Sequence, residues 1–274
     1  MQDLPPLREV LARAGVGADK RLGQHFLFDL NICRKIAGFA GPLDQATVIE
    51  VGPGPGGLTR ALLEAGARVI AIEKDARFVA ILQDLAARAE GRLRIVRADA
   101  LRVDEAALLG TGAPASVVAN LPYNIATPLL VKWLTGGFRP ARMTLMFQKE
   151  VAQRIVARPG GGAYGRLAVL AGALCEARIV MSLPPRAFTP PPKVASAVVD
   201  LSRLREVPSD ALISSLQAVT QKAFGQRRKM LRSALRTLGG ATLCEAAGVD
   251  PDARAETLEV TQFLRLAQAW AGLR

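Results

Sequence analysis

Apolar positions in the first two-thirds of the chain alternate between short unbroken runs and stripes recurring every three to four residues. The run Thr47-Val48-Ile49-Glu50-Val51, stopped by Gly and Pro, predicts a buried strand. Residues 58–65 then have helical spacing, and Arg68-Val69-Ile70-Ala71-Ile72-Glu73 predicts a second strand. Residues 76–89 are helical in period, and residues 93–97 and 116–119 predict a third and a fourth strand. Residues 128–134 suit a helix with proline in its first turn. A fifth strand at 143–147 and a helix at 149–157 follow.

This alternation predicts an α/β fold, a Rossmann-like parallel sheet with helices on both faces. Residues 174–201 break the rhythm. Two strand-like runs, 175–183 and 194–201, flank a Pro-rich stretch and predict an antiparallel pair at the sheet edge. Beyond Pro208 only helical patterns occur, at 210–224, 229–238 and 260–273. The expected organisation is a partly ordered arm (1–20), a Rossmann-like domain (21–204) and a small all-helical C-terminal domain (205–274).

Composition narrows the setting. Half of the residues are apolar, enough for a large core without disulfides or structural metal. Cys33, Cys175 and Cys244 are isolated and lack metal-ligand spacing, so they read as buried thiols in a reducing compartment. No apolar run approaches the roughly 20 residues that span a bilayer, and the N-terminus lacks the basic-then-apolar pattern of a secretion signal. A cytoplasmic protein with no metal and no membrane association is expected. The net charge of +12, spread over both parts of the chain, admits either a polyanionic partner or simply a basic surface.

The loop Gly52-Pro53-Gly54-Pro55-Gly56-Gly57 leaves the first strand and leads into a helix N-terminus. Its glycines allow close backbone approach to a ligand. Gly52, Gly54 and Gly57 also fit a dinucleotide-binding fingerprint, and Glu73, at the end of the second strand, would hold ribose hydroxyls in either case. Asp99, after the third strand, is a second acid at the same edge; it suits either an adenine amino group or an ordinary turn. Asn120-Leu121-Pro122-Tyr123 follows the fourth strand and offers an amide oxygen, backbone carbonyls and an aromatic face. Acceptors on the two N–H groups of an adenine amine would free its lone pair for attack on a sulfonium methyl, while Tyr123 stacks on a base drawn out of its helix. A strand ending in a Pro turn with a surface Tyr is the bland alternative.

Taken in order, these motifs resemble those of the ribosomal RNA adenine N6-dimethyltransferase family. Upstream, Leu22-Gly23-Gln24-His25-Phe26-Leu27 is similar to the family's segment over the methyl donor. Downstream, Phe188-Thr189-Pro190-Pro191-Pro192-Lys193-Val194-Ala195-Ser196 resembles its target-loop motif, and Phe224-Gly225-Gln226-Arg227-Arg228-Lys229 the start of its helical appendage. The resemblance covers roughly residues 20–270. It implies a class I S-adenosylmethionine methyltransferase sheet and release of S-adenosylhomocysteine. The implied reaction is N6-dimethylation of two adjacent adenosines in a hairpin near the 3′ end of small-subunit (16S) rRNA. The partner would be that rRNA within an assembling small subunit, and a monomer is expected.

By the same resemblance, His25, Leu27, Gly52, Gly54, Glu73, Asp99, Ala100 and Asn120 would bind the donor. Asn120, Leu121, Pro122, Tyr123 and Phe188 would form the catalytic pocket, with Phe188 facing Tyr123 across the base. A hydrophobic plug is the alternative for Phe188. Arg227, Arg228 and Lys229 would contact RNA phosphates. The family often has Asn where His25 stands; both side chains can donate to a carboxylate, and a general base is not needed.

Overall fold

Residues 4–17, 24–109, 115–226 and 228–273 are described in this computed structural model. The strands among them are β1 (Phe26–Leu27), β2 (Thr47–Val51), β3 (Arg68–Glu73), β4 (Leu93–Arg97), β5 (Ala115–Asn120), β6 (Arg142–Gln148), β7 (Cys175–Leu183), β8 (Phe188–Thr189) and β9 (Ser196–Arg203). Seven of them form one sheet in the order β4-β3-β2-β5-β6-β9-β7. The pairs from β4 to β6 are parallel, and β9 runs antiparallel to β6, with Phe147 opposite Ala197. The β1 and β8 segments form a separate two-stranded pair.

Val48, Ile49, Val117, Val118, Ala119, Leu145 and Phe147 are all fully buried. A parallel strand covered on both faces has no polar side, so it appears in sequence as an unbroken apolar run. The five predicted parallel strands lie within a residue of their expected bounds, and the extra pair occupies the expected edge. Strand order reverses between β2 and β5, which opens a crevice beyond their carboxyl ends.

Several helices differ from expectation. The arm contains a helix at Leu7–Arg13, because Leu7 and Leu11 share one face and are both buried. A helix at Leu30–Phe39, capped by the Asp29 carboxylate on the Asn31 and Ile32 amides, precedes the sheet. The helix expected at 128–134 spans Tyr123–Thr135, so Pro128 lies inside it; Pro122, just before its start, is the proline at the boundary. The helix expected at 229–238 is a short turn, Leu231–Ala234, followed by a 3-10 segment, Arg236–Leu238. Gly239 and Gly240, with φ of 119° and 56°, end it and begin a further helix at Gly240–Ala246.

The chain divides into two compact units. One comprises Met1–Trp133, Gly137–Ala152 and Arg178–Ser202; the other comprises Leu134–Gly136, Gln153–Ala177 and Arg203–Arg274. The second unit therefore takes material from before residue 204 as well as after it. Its helix Arg166–Leu174 packs on Val260–Gly272, with a Val260 methyl only 3.2 Å from where a Cβ on Gly172 would stand. Phe224 stacks on Phe263 at 5.4 Å and meets Tyr164 edge-on at 6.0 Å within the same unit. No helix among the described residues is long and apolar enough to cross a membrane.

Candidate active site

A cavity of about 570 Å³ opens at the strand-order reversal, within the range of small-molecule sites. The loop after β2 forms its floor. Gly52, Gly54 and Gly56 have φ of 67°, 53° and 87°, a backbone region that favours glycine. A Cβ at Gly52 would stand 3.2 Å from the Pro122 ring, and one at Gly57 only 2.8 Å from the Leu27 carbonyl oxygen. Bare backbone is thus needed both to turn the loop and to let the segments around it close.

Glu73 ends β3 with its carboxylate almost wholly buried. The Gly54 amide donates to its Oε2 at 3.2 Å, and the Asp75 amide to its Oε1 at 2.8 Å. Burial raises its pKa above the ordinary value, while these amides pull the other way. Asp99 lies at the end of the crevice. Lys74 Nζ donates to Oδ2 at 2.9 Å and the Leu101 amide to Oδ1 at 3.1 Å, which together hold its pKa below the usual carboxylate range.

Asn120, Leu121, Pro122 and Tyr123 all line the same cavity. Asn120 Nδ2 donates to the His25 carbonyl at 3.2 Å. Because a carbonyl can only accept, that contact assigns the amide's nitrogen and leaves Oδ1 as the open acceptor. Tyr123 is held at both ends: its ring lies 5.4 Å from the His25 ring, and its hydroxyl meets Ser196 Oγ at 2.5 Å. Burial raises its pKa, so it stays a neutral phenol. His25 Nδ1 donates to the Pro190 carbonyl at 2.8 Å, so a second donation from Nε2 to a carboxylate needs the charged ring.

Two expected residues lie elsewhere. Phe188 is buried in the core beside Leu27 and Leu183 and does not line the cavity, because its pairing opposite Leu27 in the β1–β8 ribbon seats it in the core cluster. Ala100 is also buried away from the cavity wall, and its carbonyl accepts from Lys132 Nζ at 2.8 Å. Arg228 and Lys229 are exposed, whereas Arg227, like Leu22 and Gly23, lies outside the described residues.

Three contributors carried no assigned role in the sequence. Ser196 closes the target-loop motif, and its bond to Tyr123 crosses from β9. Glu50 lines the cavity at 1 % exposure with Oε2 unpaired, and burial pushes its pKa up to about 8, with the Glu73 charge adding to the effect. The Thr59 hydroxyl lies beside it and opposes that shift without closing a hydrogen bond. A carboxyl inside an otherwise apolar strand was the available signal. Lys132 is the third. Among the described residues there is no cluster of ligands able to hold a metal ion.

The strand order, the glycine loop and the two strand-end acids are those of class I S-adenosylmethionine-dependent methyltransferases. A dimethyladenosine transferase from Plasmodium falciparum superposes with a TM-score of 0.72 at 26 % identity, covering 88 % of this chain and 96 % of that one. The 23S rRNA methyltransferase ErmE gives 0.67 at 26 % identity, covering 89 % and 98 %. The Caulobacter vibrioides protein named ribosomal RNA small subunit methyltransferase A is 64 % identical over 93 % of this chain and 98 % of its own length. A protein of the same name from Phenylobacterium zucineum is 61 % identical over 100 % and 95 %. The family model described as ribosomal RNA adenine dimethylase matches residues 16–271, and the chain belongs to that family. The residues around the cavity fit its donor, S-adenosylmethionine: bare backbone at the loop, a buried acid at the end of β3 and a partly exposed one just beyond the end of β4.

Proposed function

We propose that this chain dimethylates N6 of two adjacent adenosines in a hairpin near the 3′ end of small-subunit (16S) rRNA, within an assembling subunit in the cytoplasm and as a monomer. The names of its relatives at 54–64 % identity support the small-subunit target. The donor supplies an electrophilic methyl on its sulfonium. Glu73 takes the ribose hydroxyls, Asp99 the adenine amino group, and the backbone at Gly52, Gly54 and Leu27 lies along the remainder, with His25 by the methionine moiety.

The observation that carries the catalytic role is the orientation of the Asn120 amide. With Nδ2 spent on the His25 carbonyl, Oδ1 is left to accept one N6 hydrogen of a target adenine. The carbonyl of Leu121 would take the other, so the nitrogen becomes more tetrahedral and its lone pair leaves the ring. Tyr123, fixed by His25 and Ser196, offers a face for stacking. The methylated adeninium is acidic enough to lose its proton to water. Arg228 and Lys229, with Arg227, would neutralise phosphates.

The test is methylation of small subunits that lack the modification, followed by mass spectrometry of the digested rRNA. Two adjacent N6,N6-dimethyladenosines near the 3′ end are expected. Absence of dimethyladenosine, or its appearance on large-subunit rRNA instead, refutes this reading.

A further inference from the structure

Lys132 lies on the helix Tyr123–Thr135, away from the cavity wall. Its ammonium donates to the Ala100 carbonyl at 2.8 Å, the Val103 carbonyl at 2.5 Å and Glu105 Oε1 at 2.9 Å. An ammonium has three protons, and all three are used. Glu105 is 1 % exposed, and the fully buried Trp133 indole donates to the same oxygen at 2.7 Å. An ion pair with one partner withdrawn from water and the other 27 % exposed contributes little net stability compared with apolar side chains of the same volume. What this pair does provide is position.

The position it fixes is that of Asp99. The loop from 98 to 104 has no regular structure, and Asp99 is ordered locally by a turn: Leu101 donates to its side chain and the Arg102 amide to its carbonyl at 2.8 Å. A turn sets the shape of a loop and not its place, and the Ala98 amide on the Glu73 carbonyl at 3.1 Å holds only the loop's start. The bridge from Lys74 to Asp99 involves a lysine side chain that is 70 % exposed, a weak tether. The Lys132 bonds, at the Ala100 and Val103 carbonyls beyond Asp99, are partly buried and attach the loop to a helix.

We propose that Lys132 is a positioning residue for donor recognition, pinning the 99–103 loop so that the Asp99 carboxylate stands where the donor's adenine amino group arrives. This rests on the reading of Asp99 given above. The same helix begins at Tyr123, nine residues and about 13 Å away along its axis. One helix, with Pro128 between the two positions, therefore carries both the stacking face for the target base and the anchor for the donor's adenine loop.

Acting through Asp99, Lys132 can contribute no more than Asp99 does. The experiment is a double-mutant cycle on donor affinity by calorimetry, with Asp99→Ala, Lys132→Met and both together. Lys132→Met is expected to raise the S-adenosylmethionine Kd roughly tenfold, the lower end of what losing a hydrogen bond to a charged group does. In the Asp99→Ala background it should add nothing. In turnover, the donor KM rises while kcat at saturating donor holds. A core truncation in the other unit, Leu243→Ala, controls for lowered stability and should leave the donor Kd unchanged. If Lys132→Met does not fold, Lys132→Met with Glu105→Gln, which removes both charges of the pair, carries the same cycle. A wild-type donor Kd in the Lys132 variant, or full additivity with Asp99→Ala, overturns the proposal. Failure of the unmutated chain to bind the donor would instead remove the functional reading itself.

Discussion

Replacing Asn120 by Ala separates the proposed chemistry from binding. The amide sits with Nδ2 on the His25 carbonyl, so its oxygen is oriented before any base arrives, and no reorganisation is needed as the N6 nitrogen pyramidalises. An acceptor of this kind acts mainly in the transition state. Loss of one preorganised contact removes about 2.7–4 kcal/mol, a rate loss near 10²–10³. Two smaller effects come with it. The His25 carbonyl loses a partner, which costs about 1 kcal/mol of stability, while His25 itself stays tied to Pro190. Donor affinity should fall far less than the rate, even with Asn120 among the expected donor-binding residues, because Gly54, Glu73 and Asp75 keep their bonds. The assay is single-turnover methylation with donor and RNA both saturating. Asn120→Asp is the internal control: it keeps an oxygen but cannot donate to His25. It should fall less than Ala if the acceptor matters, and as far as Ala if only the tether to His25 matters. A near-normal rate in Asn120→Ala, with folding and binding intact, refutes the mechanism.

Glu73→Ala should weaken donor binding by roughly 1–3 kcal/mol through lost ribose hydrogen bonds, and an unchanged calorimetric Kd removes Glu73 from the site. Glu50 should make stability fall as pH rises. Its folded pKa of about 8 lies above its ordinary 4.5, so the native chain holds a proton that the unfolded chain releases across that window. Glu50→Gln should abolish this slope and be more stable at pH 8, on the order of a few kcal/mol; parallel Tm–pH curves for the two proteins would contradict it. Replacing Arg228 and Lys229 by Ala should lessen the slope of log K for RNA against log salt by up to about 1 per phosphate contact. A slope equal to that of the unmutated chain would make them solvated charges only.

Legibility in the sequence followed from how local each determinant is. Strands β2, β3, β5 and β6 could be read because double-sided burial writes a continuous apolar run, and the edge pair because two runs flank a proline-rich stretch. The helix Arg166–Leu174 could not, since Ala168, Val169, Leu170, Ala171, Ala173 and Leu174 are all buried, and a helix apolar around most of its circumference has no stripe to count. Leu30–Phe39 was legible and is missing from the expected elements: Asp29 gives a cap signal, and Cys33, Ile36 and Ala37 form a buried stripe opposite the exposed Asn31, Arg34 and Lys35.

The site divides along the same line. Gly52, Gly54, Glu73 and Asn120 stand at strand ends, where chain direction alone brings them to one crevice, and the cavity does collect them. Phe188 depends on a register that local sequence does not contain: β8 pairs with β1, and opposite Leu27 that register seats the ring in the core. A flipped base could be sandwiched between Tyr123 and Phe188 only if β8 left β1 and the ring left its core neighbours. Burial of a Phe side chain is worth about 1.5–3 kcal/mol, which such an opening would have to recover from stacking. Phe188→Leu therefore discriminates between the two roles. It keeps an apolar side chain for the core and removes the aromatic face, so a packing role leaves the methylation rate within a few-fold of the unmutated chain. Stacking of a base on an aromatic side chain is worth about 1–3 kcal/mol, so a rate loss of tenfold or more at unchanged Tm would place the ring against the base during turnover, and the buried seat would then be the resting position of a moving ribbon.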